Sequence, residues 1–198
     1  MNDIAKHYDL LIDENNDPVH DPEPLRNYMN KWDGPEFIEN LELNKSKSVL
    51  EIGVGTGRLA IQVAPHCLEF TGIDLSEKTI AKAKENLKCF KNIHLLCDNF
   101  LSFNAEKTFD IIYSSLTFMH IKEKQTAINK AFDLLNSNGM FALSIDKNQS
   151  DTINAGISVI SVCPDNPNEI ENCIKSSGLT IIKQYETEFA YIFIAKKY

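Results

Sequence analysis

The stretch VLEIGVGTGR, residues 49–58, constrains the fold more than any other. An apolar run carries one acid, Glu51, and then Gly53, Gly55 and Gly57 on alternate positions. A buried strand followed by bare backbone starts a strand–turn–helix unit. Glycine lets the chain turn sharply and lets a ligand approach without meeting a Cβ. The helix expected next, over about 57–65, would offer free N–H groups and the positive end of its dipole.

The same rhythm continues. SVLEI (48–52), EFTGID (69–74), IHLLC (93–97), FDIIYSS (109–115) and MFALSID (140–146) read as five strands. A helix opens at Ser76, which is placed to cap it, with Ile80, Ala83 and Leu87 on one face. Another spans about 122–136 and ends at SNG (137–139), and a third, near 167–177, stops at Gly178. LTIIKQYE (179–186) and EFAYIFIAKK (188–197) then pair as an antiparallel hairpin around Thr187. Alternating strands and helices predict an α/β fold, a Rossmann-like doubly wound sheet of seven strands. The sheet is expected to be mostly parallel with the last strand antiparallel, with helices on both faces. Ligands of such sheets sit beyond the carboxyl ends of the strands.

Residues 1–45 follow another pattern. DPVHDPEP is irregular and proline-spaced; then Leu25, Tyr28, Met29 and Trp32 fall on one helical face, Gly34-Pro35 breaks it, and Phe37, Ile38 and Leu41 begin a second short helix. The expectation is an N-terminal helical cap over 1–45 on a second domain spanning 46–198. Residues 1–40 hold ten acids against three bases, nearly all of the net charge of −8. Such a surface repels phosphate backbones and anionic lipid, so nucleic acid and membrane are poor partners. No apolar run is long enough to span a bilayer and no signal-peptide layout is seen, so a cytoplasmic location is expected. The five cysteines form no CxxC pair, which predicts reduced thiols and no metal site. Monomer and homodimer both remain open.

The glycine turn suits two ligands: the pyrophosphate of a dinucleotide, or the phosphate-free methionine part of S-adenosylmethionine. Glycine spacing does not separate them, since Gly55, Gly57 and Ala60 satisfy a tolerated dinucleotide pattern. Glu51 does more: a carboxylate repels a pyrophosphate but stabilises an ammonium or sulfonium. Asp74 ends the second strand, where a carboxylate accepts both hydroxyls of a ribose. Asp98, Asn99 and Phe100 follow the third strand, and suit the amino group and face of an adenine. Each has a plainer role available, as a turn or helix cap.

VLEIGVGTGRLA, FTGIDLS, LLCDNF and FDIIYSSLTFMHI resemble, in order and approximate spacing, the four cofactor-side motifs of class I S-adenosylmethionine-dependent methyltransferases. The terminal strand pair resembles that family's too, and the likeness covers about residues 46–198. The resemblance implies S-adenosylmethionine as cofactor and S-adenosylhomocysteine as product. It implies that Gly53, Val54, Gly55, Thr56 and Gly57 shape the methionine pocket with Glu51 near the amino group, and that Asp74 holds the ribose with Leu75 under the adenine. Asp98 and Asn99 meet the adenine edge beside Phe100, and Ser114 and Ser115 line the sulfonium side. Arg58 reaches the cofactor carboxylate or stays solvated.

Methyl transfer is a displacement at carbon, so alignment and desolvation of the acceptor dominate. A base helps only where the acceptor must lose a proton, and His120 is the best candidate. Tyr8, Tyr28 and Trp32 are expected to form a substrate-facing lid. If the acidic cap covers the acceptor pocket, a neutral or cationic small molecule is favoured over an acid. A non-catalytic nucleoside-binding module and a nicotinamide oxidoreductase remain alternatives. A nucleic-acid methyltransferase is disfavoured by charge, and by SSLT (114–117) standing where an Asn/Asp-Pro-Pro-aromatic motif would be.

Overall fold

The computed structural model describes residues 3–154, 156 and 158–198. Five parallel strands form the body of the sheet: β1 (Ser48–Ile52), β2 (Glu69–Asp74), β3 (Ile93–Cys97), β4 (Phe109–Ser115) and β5 (Leu135–Asp146). Two short strands, β6 (Thr152–Asn154) and β7 (Val159–Ser161), pair with each other. β8 (Thr180–Glu186) and β9 (Ala190–Lys196) complete the seven-stranded sheet in the order β3-β2-β1-β4-β5-β9-β8. The last strand, β9, is antiparallel to both neighbours, as expected from the sequence.

Side-chain alternation along the strands divides the core into two layers. Val49 and Ile111 face one side, with Phe37, Phe70, Ile80 and Leu87. Leu50, Ile52 and Ile112 face the other, with Phe118, Ile128, Phe141 and Ile174. Each fully buried side chain of this size contributes roughly 1.5–3 kcal/mol. Strand order reverses between β1 and β4, so the crevice at their carboxyl ends is the ligand position of the architecture.

The helices are α1 (Asp3–Asp13), α2 (Glu23–Met29), α3 (Gly34–Glu39), α4 (Ala60–Val63), α5 (Glu77–Asn86), α6 (Lys124–Leu134) and α7 (Pro167–Ser176). Ser76 caps α5, its hydroxyl accepting from the Thr79 N–H at 3.0 Å.

Several expectations are corrected. α1 was not anticipated, although Ile4, Tyr8, Leu11 and Ile12 stand at helical spacing in it; its buried positions are Ala5 and His7. α2 ends before Trp32 and buries no residue, and Leu25 and Tyr28 are exposed. The helix after the glycine turn starts at Ala60 and continues as a 3₁₀ turn, Ala64–His66. SNG does not precede β5 but lies inside it as a bulge, with Asn138 at φ 62° and the pairing with β4 stepping from Leu135 to Met140. The β6–β7 pair lies in the segment 147–168, which is held by the Cys163 N–H donating to the Met119 carbonyl at 2.8 Å. The terminal hairpin turns through residues 187–189 rather than Thr187 alone.

Candidate active site

The glycine turn leaves β1 and meets the crevice directly. Gly55 stands at φ +57° with nothing within 4 Å of where a Cβ would be, so its bare backbone faces open space. Gly57 is different: at φ +101°, a Cβ there would lie 2.8 Å from Leu87 Cδ1. Its missing side chain lets α5 pack closely, and Gly57 does not line the cavity.

That cavity measures about 600 Å³. Its floor is built from strand ends. Glu51 sits beside Tyr113 in the β1–β4 register, and the Tyr113 hydroxyl donates to Glu51 Oε2 at 2.8 Å. Glu51 is 3% exposed, and burial pushes its pKa up to about 8 despite that hydrogen bond. Asp74, at the end of β2, accepts the Gly55 N–H at 3.0 Å and the Ser76 N–H at 3.0 Å. Burial raises its pKa while these amides pull it back.

Gly53, Val54, Thr56 and Leu75 line the same cavity, as do Asp98, Asn99 and Phe100 after β3. Asn99 is tied into its own turn, accepting the Leu101 N–H at 2.9 Å. Ser115 lines the cavity, but Ser114 does not: its hydroxyl donates to the Ile52 carbonyl at 2.9 Å and is fully buried. Leu116, at φ +55°, turns the chain away from β4, a strained position for a branched residue.

Arg58 faces the cavity from a buried ion pair with Asp33. Asp33, 1% exposed, accepts from both terminal nitrogens of Arg58, from the Ser115 hydroxyl at 2.8 Å and from the Gly34 N–H at 2.8 Å. Burial alone would lower the Arg58 pKa; the Asp33 carboxylate raises it. Asp33 escaped the sequence reading, although an Asp just before Gly34-Pro35 is a helix-cap signal. Tyr113 escaped too; its position opposite Glu51 needs the strand register to be known.

The roof comes from the N-terminal segment. Tyr8 of α1 lines the cavity and places its hydroxyl 2.8 Å from His120 Nε2, the rings meeting edge to face. Burial, with smaller contributions from His7 and Lys124, drops the His120 pKa to about 4. Burial raises that of Tyr8. Tyr28 and Trp32 stand elsewhere: they cluster with Phe189 and do not line the cavity. Leu25 and Met29 of the same stripe do.

Three acids of the chain's opening meet α5 or its cap. Asp9 accepts from the Ser76 hydroxyl at 2.6 Å, Asp13 pairs with Lys78 Nζ at 2.6 Å, and Asp17 accepts from the Asn86 amide. Among these four-spaced acids, Asp21 is the one that lines the cavity.

Comparison with known proteins gives the same answer. A family described as methyltransferase domain matches residues 43–175, about two thirds of the chain. Malonyl-[acyl-carrier protein] O-methyltransferase 1 of Ilyobacter polytropus is 28% identical over 108 residues, 54% of this chain and 40% of the relative. Ubiquinone biosynthesis O-methyltransferase of Coxiella burnetii is 29% identical over 190 residues, 90% of this chain and 77% of the relative. Five curated relatives, the Ilyobacter protein among them, are matched over 38 to 60% of their own length. A Listeria monocytogenes structure described as a putative S-adenosylmethionine-dependent methyltransferase superposes with a TM-score of 0.73 at 17% identity, over 82% of this chain and 95% of that one. The N-methyltransferase NodS of Bradyrhizobium japonicum, in complex with S-adenosyl-L-homocysteine, superposes with a TM-score of 0.67 at 18% identity, over 91% and 94%. Strand order, glycine turn and family match together place this chain in the methyltransferase-domain family, on the class I S-adenosylmethionine-dependent fold.

Proposed function

We propose that the cavity binds S-adenosylmethionine and that the chain passes its methyl group to a small-molecule nucleophile, neutral or cationic. The observation that carries this is the placement of Glu51 and Asp74 at adjacent strand ends, facing one cavity on either side of the open backbone at Gly55.

The residues present fit the cofactor. Glu51 is a buried carboxylate that, among the described residues, has Tyr113 as its one hydrogen-bonding side-chain partner, and an ammonium at its free oxygen would restore the charge that burial suppresses. Asp74 spends one lone pair per oxygen on backbone amides and keeps the others for a pair of ribose hydroxyls. Leu75, Phe100 and Leu101 supply an apolar slot beside the Asp98 carboxylate, suited to a purine and its amino group. When bound, S-adenosylmethionine supplies an electrophilic methyl carried on a sulfonium leaving group.

The chain's own residues then do three things. Strand ends and glycine turn fix the reacting partners and exclude water. Tyr8, His120, Leu25 and Met29 wall the acceptor side. His120, with its pKa near 4, is an unprotonated imidazole at neutral pH. It is too weak a base to drive proton removal and well suited to accepting a hydrogen bond. His120 therefore orients Tyr8 and the acceptor; a neutral amine attacks through its lone pair, keeps its proton as the C–N bond forms and the C–S bond breaks, and gives that proton to bulk water after the product leaves.

Charge favours cations. Asp21, Asp74, Asp98 and Glu123 line the cavity against Arg58 and Lys122, and Arg58 is already matched by Asp33. A carboxylate acceptor would meet a net negative wall. The test is conversion of S-adenosylmethionine to S-adenosylhomocysteine over matched amine, alcohol and acid acceptors. Turnover confined to amines and alcohols is expected; turnover confined to acids would overturn the acceptor class.

A further inference from the structure

Lys130 stands on α6, outside the cavity, yet its ammonium reaches the turn that follows β3. It donates to the Leu101 carbonyl at 3.0 Å and to the Phe103 carbonyl. The same charge lies 5.7 Å from the centroid of the Phe100 ring, within the range of a cation–π contact. Phe100 and Leu101 line the cavity together with Asp98 and Asn99.

The turn needs that tie. Its start is fixed to β2, where the Asp98 N–H donates to the Asp74 carbonyl at 2.9 Å. Beyond Asp98 the turn is wound on Asn99, which accepts the N–H groups of Leu101, Ser102 and Phe103 at 2.9, 3.0 and 2.7 Å. Those bonds are internal. Among the described residues, the hydrogen bonds that leave residues 99–103 for another element both end on Lys130. Phe100 and Phe103 are buried beside Ala127 and Ala131 of α6, but apolar packing is non-directional. The two bonds to Lys130 set where the backbone between those rings points. The Asp98 charge in turn supports the Lys130 ammonium against its partial burial.

We propose that Lys130 is a positioning residue for the nucleobase. By fixing the turn 98–103 it holds the Asp98 carboxylate and the Phe100 ring in one arrangement, so that the cavity selects a purine with an amino group at C6 over one with a carbonyl there. An ionised carboxylate only accepts hydrogen bonds. A 6-amino group donates to it, whereas a 6-oxo group sets oxygen against oxygen. The oxo purine could satisfy Asp98 through its N1–H, but only if the carboxylate shifts along the base edge. Rejection of the wrong base therefore requires an acceptor that cannot move, and Lys130 supplies that immobility. This rests on the cavity taking the cofactor described above.

The test is calorimetric titration of the full chain with S-adenosylhomocysteine and with its 6-oxo counterpart, S-inosylhomocysteine. Wild type is expected to prefer the amino form about 100-fold. Lys130→Met removes both bonds to the turn; it should weaken S-adenosylhomocysteine about tenfold, leave the oxo form nearly unchanged, and so cut the preference about tenfold. Lys130→Arg, which keeps charge and donors, should restore most of it. Lys130→Gln, which keeps one donor group, carries the same comparison where Lys130→Met does not fold. A Lys130→Met or Lys130→Gln chain that weakens both ligands by one factor, keeping the wild-type preference, shows a purely structural lysine and overturns the proposal. A wild type that binds both forms equally overturns it too and leaves the cofactor assignment standing. A wild type that binds neither ends both.

Discussion

Tyr8 and His120, 112 positions apart in the chain, meet through a 2.8 Å hydrogen bond at the mouth of the cavity. One comes from the N-terminal helix and the other from the turn after β4. The contact joins roof to floor, and it gives the acceptor side its polar surface.

Tyr8→Phe removes that contact at constant ring volume. It is expected to lower kcat/KM roughly 3- to 10-fold, the value of one hydrogen bond, with S-adenosylhomocysteine affinity unchanged. His120→Gln, which keeps an acceptor atom, should recover part of the loss seen in His120→Ala. With its pKa near 4, His120 contributes no ionisation to the rate profile between about pH 5 and 8. Its stability contribution runs the same way: the unfolded imidazole takes up a proton below its ordinary 6.5 and the folded one resists until about 4, so stability from this residue falls as pH drops through that window. A rate profile with a limb near 6.5 that His120→Gln abolishes would contradict this assignment.

Glu51 has the opposite sign. Its pKa rises from an ordinary 4.5 to about 8 on folding. Between those values the folded chain keeps a proton that the unfolded chain releases, so ligand-free stability falls as pH rises, by at most about 1.4 kcal/mol per unit. Glu51→Gln should flatten that slope in urea titrations at stepped pH. An ammonium bound at Glu51 favours the ionised form. Probe affinity therefore rises with pH up to about 8, by at most about tenfold per unit, and binding releases a proton that calorimetry in buffers of different ionisation enthalpy detects.

Asp33→Asn strands Arg58 in a site where Asp33 is 1% and Arg58 16% exposed. Breaking a buried pair from one side costs about 3 kcal/mol or more. The double change Asp33→Asn with Arg58→Met should recover much of that in the urea midpoint, because neither charge is left alone. A single variant as stable as wild type would show the pair to be incidental.

Gly55→Ala and Gly57→Ala separate binding from folding. Gly55 has open space at its Cβ position, so the cost in stability is the left-handed backbone alone, about 1–2 kcal/mol. Its methyl projects toward the ligand, and probe affinity should fall more than stability does. Gly57→Ala meets Leu87 at 2.8 Å and should destabilise more than Gly55→Ala, measured by thermal unfolding.

The strands were legible because long apolar runs between turn signals have few other solutions, and the glycine turn located the site because its residues are neighbours in sequence. Glu51 belongs to that turn, whereas Asp74, Asp98 and His120 were picked from the ends of later strands, and all four line one cavity. What stayed hidden depends on contacts between distant segments. α1 buries His7, whose burial depends on what the helix packs against. Asp33 acquires its role from Arg58 and Ser115, 25 and 82 positions away. The acidic N-terminus looked like a charged wall for the substrate, whereas Asp9, Asp13 and Asp17 face donors on α5. Trp32 had the spacing of a lid residue, but β9's approach brings Phe189 against it.

The central claim is that the strand-end carboxylates and open glycine turn receive a phosphate-free nucleoside amino acid. The direct measurement is isothermal titration of the purified chain with S-adenosylhomocysteine, alongside Asp74→Ala and a nicotinamide dinucleotide control. One saturable site for the wild type, strongly weakened in an Asp74→Ala chain that keeps its circular dichroism, with no heat from the dinucleotide, is the expected result. No heat from the wild type, or an Asp74→Ala chain that binds as tightly, would contradict it.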